Sequence, residues 1–199
     1  MIDLANRLLD VIEHNIAPMS AKEVQRGNKI FGAAILLKKD LSLIIAETNN
    51  EIENPLWHGE MHAIKKLYER DRDSLPDPKE CIFLATHEPC SLCLSAITWA
   101  GYDNFYYLFS HQDSRDNFAI PHDIKILQQV FGNKGGEQKS LYNRNNDFWQ
   151  AHAIINMSGD FSASEKEEFS KRIKHIFTLY DDLSKSYQRQ KGKARIPLD

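Results

Sequence analysis

Two short motifs constrain this chain more than anything else in it: His58-Gly59-Glu60 and, roughly thirty residues on, Pro89-Cys90-Ser91-Leu92-Cys93. One imidazole and two thiols are donors that zinc takes, and three protein ligands leave its fourth tetrahedral position open, the pattern of a catalytic rather than a closed structural site. Any fold that uses both motifs must bring two separate segments to one point. A Cys-x-x-Cys pair alone also fits a redox motif or half of a structural knuckle. A redox pair has no use for His58 and Glu60, and a knuckle needs a second close-spaced ligand pair, which the sequence lacks. The remaining cysteine, Cys81, stands at the start of an apolar run and reads as a buried structural thiol.

The chemistry follows from the spacing. Cys90 and Cys93 fall in the first turn of an expected helix, where free N–H groups and the positive dipole end favour thiolates. Zinc lowers the pKa of a water towards neutrality, so one catalytic ion per chain is the cofactor expected here. Glu60, two residues past His58, reaches that water rather than the metal and reads as the proton shuttle, the catalytic acid and base. His62 lies one helical turn from His58 and is read as a packing or pocket residue rather than a ligand.

Hydrophobic periodicity places these motifs in an α/β chain. Leu4, Leu8, Val11, Ile12 and Ile16 predict a helix over 3–16. The β-prone runs 31–37 and 41–46, separated by Lys38-Lys39-Asp40, predict an antiparallel hairpin. A helix over 58–69, a buried strand over 81–86, a helix from 89 to about 100 and a strand over 105–109 follow. Beyond Ser110 the expectation is a short helix within 123–130, an irregular polar stretch over 132–146 and a strand over 151–157. Ser164 and Glu167 fit a capping box for a long final helix whose apolar face carries Phe169, Ile173, Ile176, Phe177, Tyr180, Leu183 and Tyr187. Residues 1–160 are therefore read as one catalytic domain and 161–199 as a helix and basic tail packed on it or extending from it.

Composition narrows the setting. With 42% hydrophobic residues and no apolar run long enough to span a bilayer, the chain reads as globular with no membrane partner. Its first residues, Met1-Ile2-Asp3-Leu4, lack the cations of a secretory signal, and cysteine usage does not suggest a disulfide framework, so a cytoplasmic location is expected. A net charge of -3 gives no general attraction to phosphates. The one basic segment, Lys185, Arg189, Lys191, Lys193 and Arg195, reads as a solvated, partly disordered end, with an RNA-binding arm as the alternative.

At the two motifs the chain resembles the zinc-dependent cytidine and deoxycytidylate deaminase superfamily, whose signature is His-x-Glu with Pro-Cys-x-x-Cys. Phe31-Gly32-Ala33, Asn49-Asn50, Asn54-Pro55 and Ser95-Ala96-Ile97-Thr98-Trp99-Ala100 look like segments of its bacterial guanine deaminase and tRNA adenosine deaminase branch. The resemblance covers roughly 1–125. It implies a three-layer α/β/α sandwich around a five-stranded mixed sheet, a homodimer, and His58, Cys90 and Cys93 as zinc ligands. It also implies substrate contacts from Asn49, with Asn50 as the fallback, and from Phe31 and Asp123; His87, an additional histidine beside the second motif, is read as a residue lining the substrate pocket, with a satisfied structural histidine as the alternative. Two departures stand out: Trp57 and Gly59 flank His58 where alanine is common, and Lys29-Ile30 precede Phe31 where Gly-Pro is common.

The function expected from these residues is hydrolytic deamination of a small nucleobase or nucleoside, with a purine base such as guanine favoured. The alternatives are deamination of tRNA adenosine, of cytidine or of deoxycytidylate. A non-catalytic zinc or RNA-binding module is the reading from a different class, and Glu60 argues against it, because a structural site has no need of an acid beside the metal.

Overall fold

The computed structural model describes residues 1–133 and 141–199. The expected irregular stretch 132–146 falls partly on 134–140, which lie outside the described residues. Among the described residues, no helix is long and apolar enough to cross a membrane.

The first helix runs well past its expected end. α1 (Ile2–Val11) passes through a π-helical turn (Ile12–Ile16) into α2 (Ala17–Arg26). Pro18 lacks an N–H and would clash with the carbonyl one turn back; the widened turn just before it absorbs that misfit, so the helix continues. Gly27, at φ 110°, ends it in the left-handed conformation that favours glycine.

The hairpin forms from β1 (Gly32–Leu37) and β2 (Leu43–Thr48), with β2 starting two residues later than expected because Leu41 turns at φ 58°. α3 (Gly59–Tyr68), β3 (Cys81–His87), α4 (Ser91–Trp99) and β4 (Asn104–Phe109) follow close to their expected bounds. Two short helices come next, α5 (His111–Asp116) and α6 (His122–Gln129). β5 is only Gln150–Ala153, since the chain enters a 3-10 turn at Ile154 and cannot continue the strand to 157. The sheet order is β2-β1-β3-β4-β5, antiparallel on both sides of β1 and parallel from β3 to β5, which makes it the expected five-stranded mixed sheet.

Strand alternation splits the core into two layers. Ala34, Leu36, Ile82, Leu84 and Leu108 face α1, α2 and the long helix α7 (Ala163–Gln190), while Ala33, Ile35, Phe83, Phe105 and Tyr107 face Ala63 and Leu67 of α3 and Leu94 and Ile97 of α4. The first turns of α3 and α4 thus meet at one end of the sheet.

Two C-terminal expectations are corrected. The capping box is Ser162 with Glu165 rather than Ser164 with Glu167; both pairs have the right spacing, and Phe161, buried against Phe169 at a ring separation of 5.3 Å, fixes the earlier start. The basic tail is not a free solvated end. After Gln190 the chain turns back, Ile196 is buried, and the Tyr187 hydroxyl donates to Asp199 at 2.6 Å. Burial of one isoleucine and that hydrogen bond hold a segment whose charges alone suggested a solvated arm.

Candidate metal centre and adjoining cavity

His58 and Cys90 are the N-cap residues of α3 and α4, and Cys93 lies in the first turn of α4. Helix starts present unpaired N–H groups and a positive dipole end, so two thiols and an imidazole here sit where negative charge is favoured. His58 Nδ1 is 3.4 Å from Cys90 Sγ and 3.7 Å from Cys93 Sγ. One donor atom from each of the three lies within 4.8 Å of the others, and among the described residues no other group of three potential ligands does so. Nitrogen and two sulfurs converging in this way suit zinc. Cys81 is not among them: it is buried at the far end of β3, its thiol donates to the Asp77 carbonyl at 3.4 Å, and burial raises its pKa to about 11.

The electrostatics favour one thiolate. The hydrogen bond from Cys93, helped by His58, holds Cys90 well below the usual thiol range, while burial and Cys90 push Cys93 well above it. Burial opposes charge on His58, but the Cys90 thiolate outweighs it and raises the imidazole to about 9. Glu60 is buried, accepts from the Cys93 thiol at 3.3 Å, and is pushed up to about 7 by burial and by Cys90.

Beside His58 and Cys90 opens a cavity of about 310 Å³ whose wall includes Lys29, Phe31, Glu51, His122, Asp123 and Ile196. Phe31 and Asp123, both expected at the substrate, therefore flank the centre. Burial, reinforced by Cys90, raises Asp123 well above the carboxylate range. His87 lines a constricted space together with Phe31, Glu60, Cys90 and Asp123. Thr86 Oγ1 lies 3.1 Å from the Gly32 carbonyl and 2.9 Å from His87 Nδ1, so one edge of the His87 ring is held by this hydroxyl. His87 Nε2 is buried with no hydrogen-bond partner among the described residues, and burial holds the ring well below the usual imidazole range.

Asn49 is placed differently. Its Oδ1 accepts from the Gly59 N–H at 2.6 Å and its Nδ2 donates to Glu51 Oε2 at 2.8 Å, so the amide supports the start of α3 instead of lining the cavity beside His58. Asn50 lies beside it, on the side of His62. His62 faces β2, with Nδ1 3.0 Å from the Thr48 carbonyl and 3.2 Å from Glu47, away from the thiols.

Sequence reasoning missed Glu51 and Glu88. Glu51 Oε1 sits 2.7 Å from Lys29 Nζ and 3.9 Å from His58 Nε2. Glu88, next to Pro89, accepts from the His111 N–H at 3.0 Å, Tyr142 at 2.8 Å and Arg144 at 2.7 Å, which ties the loop before α4 to the chain entering β5. No local pattern marks either residue, since the charged partners Lys29 and Arg144 are far away in sequence.

Comparison with known proteins gives the same neighbourhood. The family described as the cytidine and deoxycytidylate deaminase zinc-binding region matches residues 12–109. Guanine deaminase of Bacillus subtilis (strain 168) is 35% identical over 95 residues, 43% of this chain; the chain spans only 54% of the length of that curated relative. Among solved structures, guanine deaminase from Bacillus subtilis is 26% identical with a TM-score of 0.49, over 66% of this chain and 82% of that one. Guanine deaminase from Nitrosomonas europaea is 14% identical with a TM-score of 0.46, over 82% and 81%.

Proposed function

Because residues 12–109 belong to the cytidine and deoxycytidylate deaminase superfamily, we propose that the chain is a zinc-dependent aminohydrolase of a nucleobase or nucleoside, with a purine base such as guanine as its substrate. The observation that carries this reading is the convergence of His58, Cys90 and Cys93 within 4.8 Å beside the buried carboxyl of Glu60. The likeness to a guanine deaminase at 35% identity supports the choice of base.

His58, Cys90 and Cys93 would hold the metal, which when bound supplies the Lewis acidity that brings a water towards ionisation near neutral pH. Glu60 takes the two protons of that water in turn, passing one to the ring nitrogen beside the amino-bearing carbon and the other to the departing amine, so that N=C–NH2 and H2O become HN–C=O and NH3. A carboxyl held near pH 7 gives up and regains a proton readily at neutral pH. Phe31 offers an aromatic face to the base, and His87 Nε2 an unpartnered ring nitrogen. Closure of the site against bulk water strengthens each of these contacts.

The tail that supported a tRNA substrate is folded against the cavity, with Ile196, Pro197 and Leu198 in its wall. Three free thiols suit a reducing, cytoplasmic setting. The homodimer implied by the resemblance, and the division at residue 160, belong to the same reading. Mass spectrometry of a panel of bases, nucleosides, nucleotides and tRNA anticodon loops tests it: guanine should gain the mass change of amine-to-oxygen exchange. Turnover of cytidine with none of any purine would defeat the purine assignment.

A further inference from the structure

Two charged side chains in the wall of this cavity have no part in the chemistry above. Lys29 Nζ lies 2.7 Å from Glu51 Oε1, with side chains only 5% and 3% exposed. Both line the space beside His58 and Cys90. A buried ion pair is weak as a source of stability, because desolvation cancels much of the attraction, and apolar residues of similar size often serve as well. Its place in a cavity wall therefore calls for another reason. The ammonium carries three N–H donors, and among the described residues Glu51 is the one hydrogen-bond partner it has. Glu51 is braced by the amide of Asn49, which the resemblance assigns to the base but which is committed to Glu51 and Gly59.

We propose that Lys29 and Glu51 form a recognition pair for the lactam edge of the substrate, with the ammonium donating to the ring carbonyl oxygen and the carboxylate accepting the adjacent ring N–H. The inference rests on the deaminase reading above and deepens it by naming the substrate class: a neutral lactam base. In guanine this edge flanks the carbon that bears the amino group. The pair is neutral as a unit, so Lys29 leaves no uncompensated positive charge in the wall for a phosphate. Asn49 acts through Glu51 as a positioning residue.

The test compares guanine with 2-aminopurine, which keeps the amino group but lacks both the carbonyl and the ring N–H of the lactam. The variants are Lys29→Met and the double variant Lys29→Met/Glu51→Gln, the latter leaving no uncompensated buried charge. The wild-type enzyme should prefer guanine by on the order of 100-fold or more in kcat/KM, since a site built for a hydrogen bond rejects an analogue that leaves it unpaired. Both variants should lose about 10- to 100-fold on guanine while 2-aminopurine turnover, zinc content and Tm of the double variant hold. An unchanged guanine preference in the double variant, or an equal loss on both bases, would overturn the recognition pair while leaving the deaminase reading intact. Zinc-loaded wild-type protein that releases ammonia from neither base would overturn both.

Discussion

Gly59 and Gly32 meet backbone to backbone: a Cβ on Gly59 would stand 2.5 Å from Gly32 Cα and 2.8 Å from its carbonyl carbon. Gly32 cannot yield, because its own missing Cβ would fall 2.3 Å from Ile16 Cγ2, and its N–H and C=O are both bound to Thr86 Oγ1. The resemblance favours alanine beside the zinc histidine; this chain has no room for it. His58 and Glu60, on either side of Gly59, are therefore set by a contact without slack. Gly59→Ala should cost roughly 1–3 kcal/mol through overpacking and should lower zinc occupancy. Thermal unfolding with metal analysis checks this, and a variant with the parental Tm and full zinc would show that α3 moves freely.

Glu60→Gln should keep the fold and the zinc but lose about 10²- to 10⁴-fold in kcat, the usual contribution of a proton-transferring group. Steady-state ammonia release is the readout. Near-parental turnover would remove Glu60 from the proton path.

Asn49→Ala leaves the Gly59 N–H and the Glu51 carboxylate each short of one hydrogen bond. The expected loss is about 0.5–2 kcal/mol, comparable to loss of a helix cap, and it should appear in ligand-free protein. Were Asn49 purely a base-holding residue, Tm would stay put and only KM would move.

Glu88 sets an acid limit. Burial works against its charge, but His111, Arg144 and Tyr142 outweigh that cost and hold its carboxyl below 4.5. A depressed folded pKa contributes stability above the unfolded value of 4.5 and loses it as pH falls through the folded one. Unfolding free energy should thus decline on acidification below about pH 4.5, and Glu88→Gln should flatten that decline while lowering stability at pH 7 by about 1–2 kcal/mol. Parallel pH profiles for the two proteins would show that the network carries no such linkage.

What the sequence disclosed and what it hid divide along sequence distance. His58 with Glu60 and Cys90 with Cys93 are close pairs on helix starts, and the alternating strands and the apolar stripe of α7 are local patterns, so the motif and the layers were legible. Lys29 with Glu51, and Glu88 with Arg144, are pairings made only by the finished fold. Ser162, Ser164, Glu165 and Glu167 allow two registers of the capping box, and the choice belongs to the buried Phe161. The charge of the tail is visible in the sequence, whereas the burial of Ile196 against the cavity is made only by the fold. The resemblance points to Asn49 but not to the direction of its amide, which depends on the Gly59 N–H lying 2.6 Å from Oδ1.

We propose that His58, Cys90, Cys93 and Glu60 make one zinc-dependent deaminating centre. Zinc content and ammonia release from guanine, measured on the same preparation of wild type, Cys90→Ala and Glu60→Gln, test it most directly. The wild type should carry one zinc per chain and turn over, Cys90→Ala should do neither, and Glu60→Gln should hold zinc without turnover. Full zinc in Cys90→Ala, or undiminished ammonia release after the metal is removed, would contradict it.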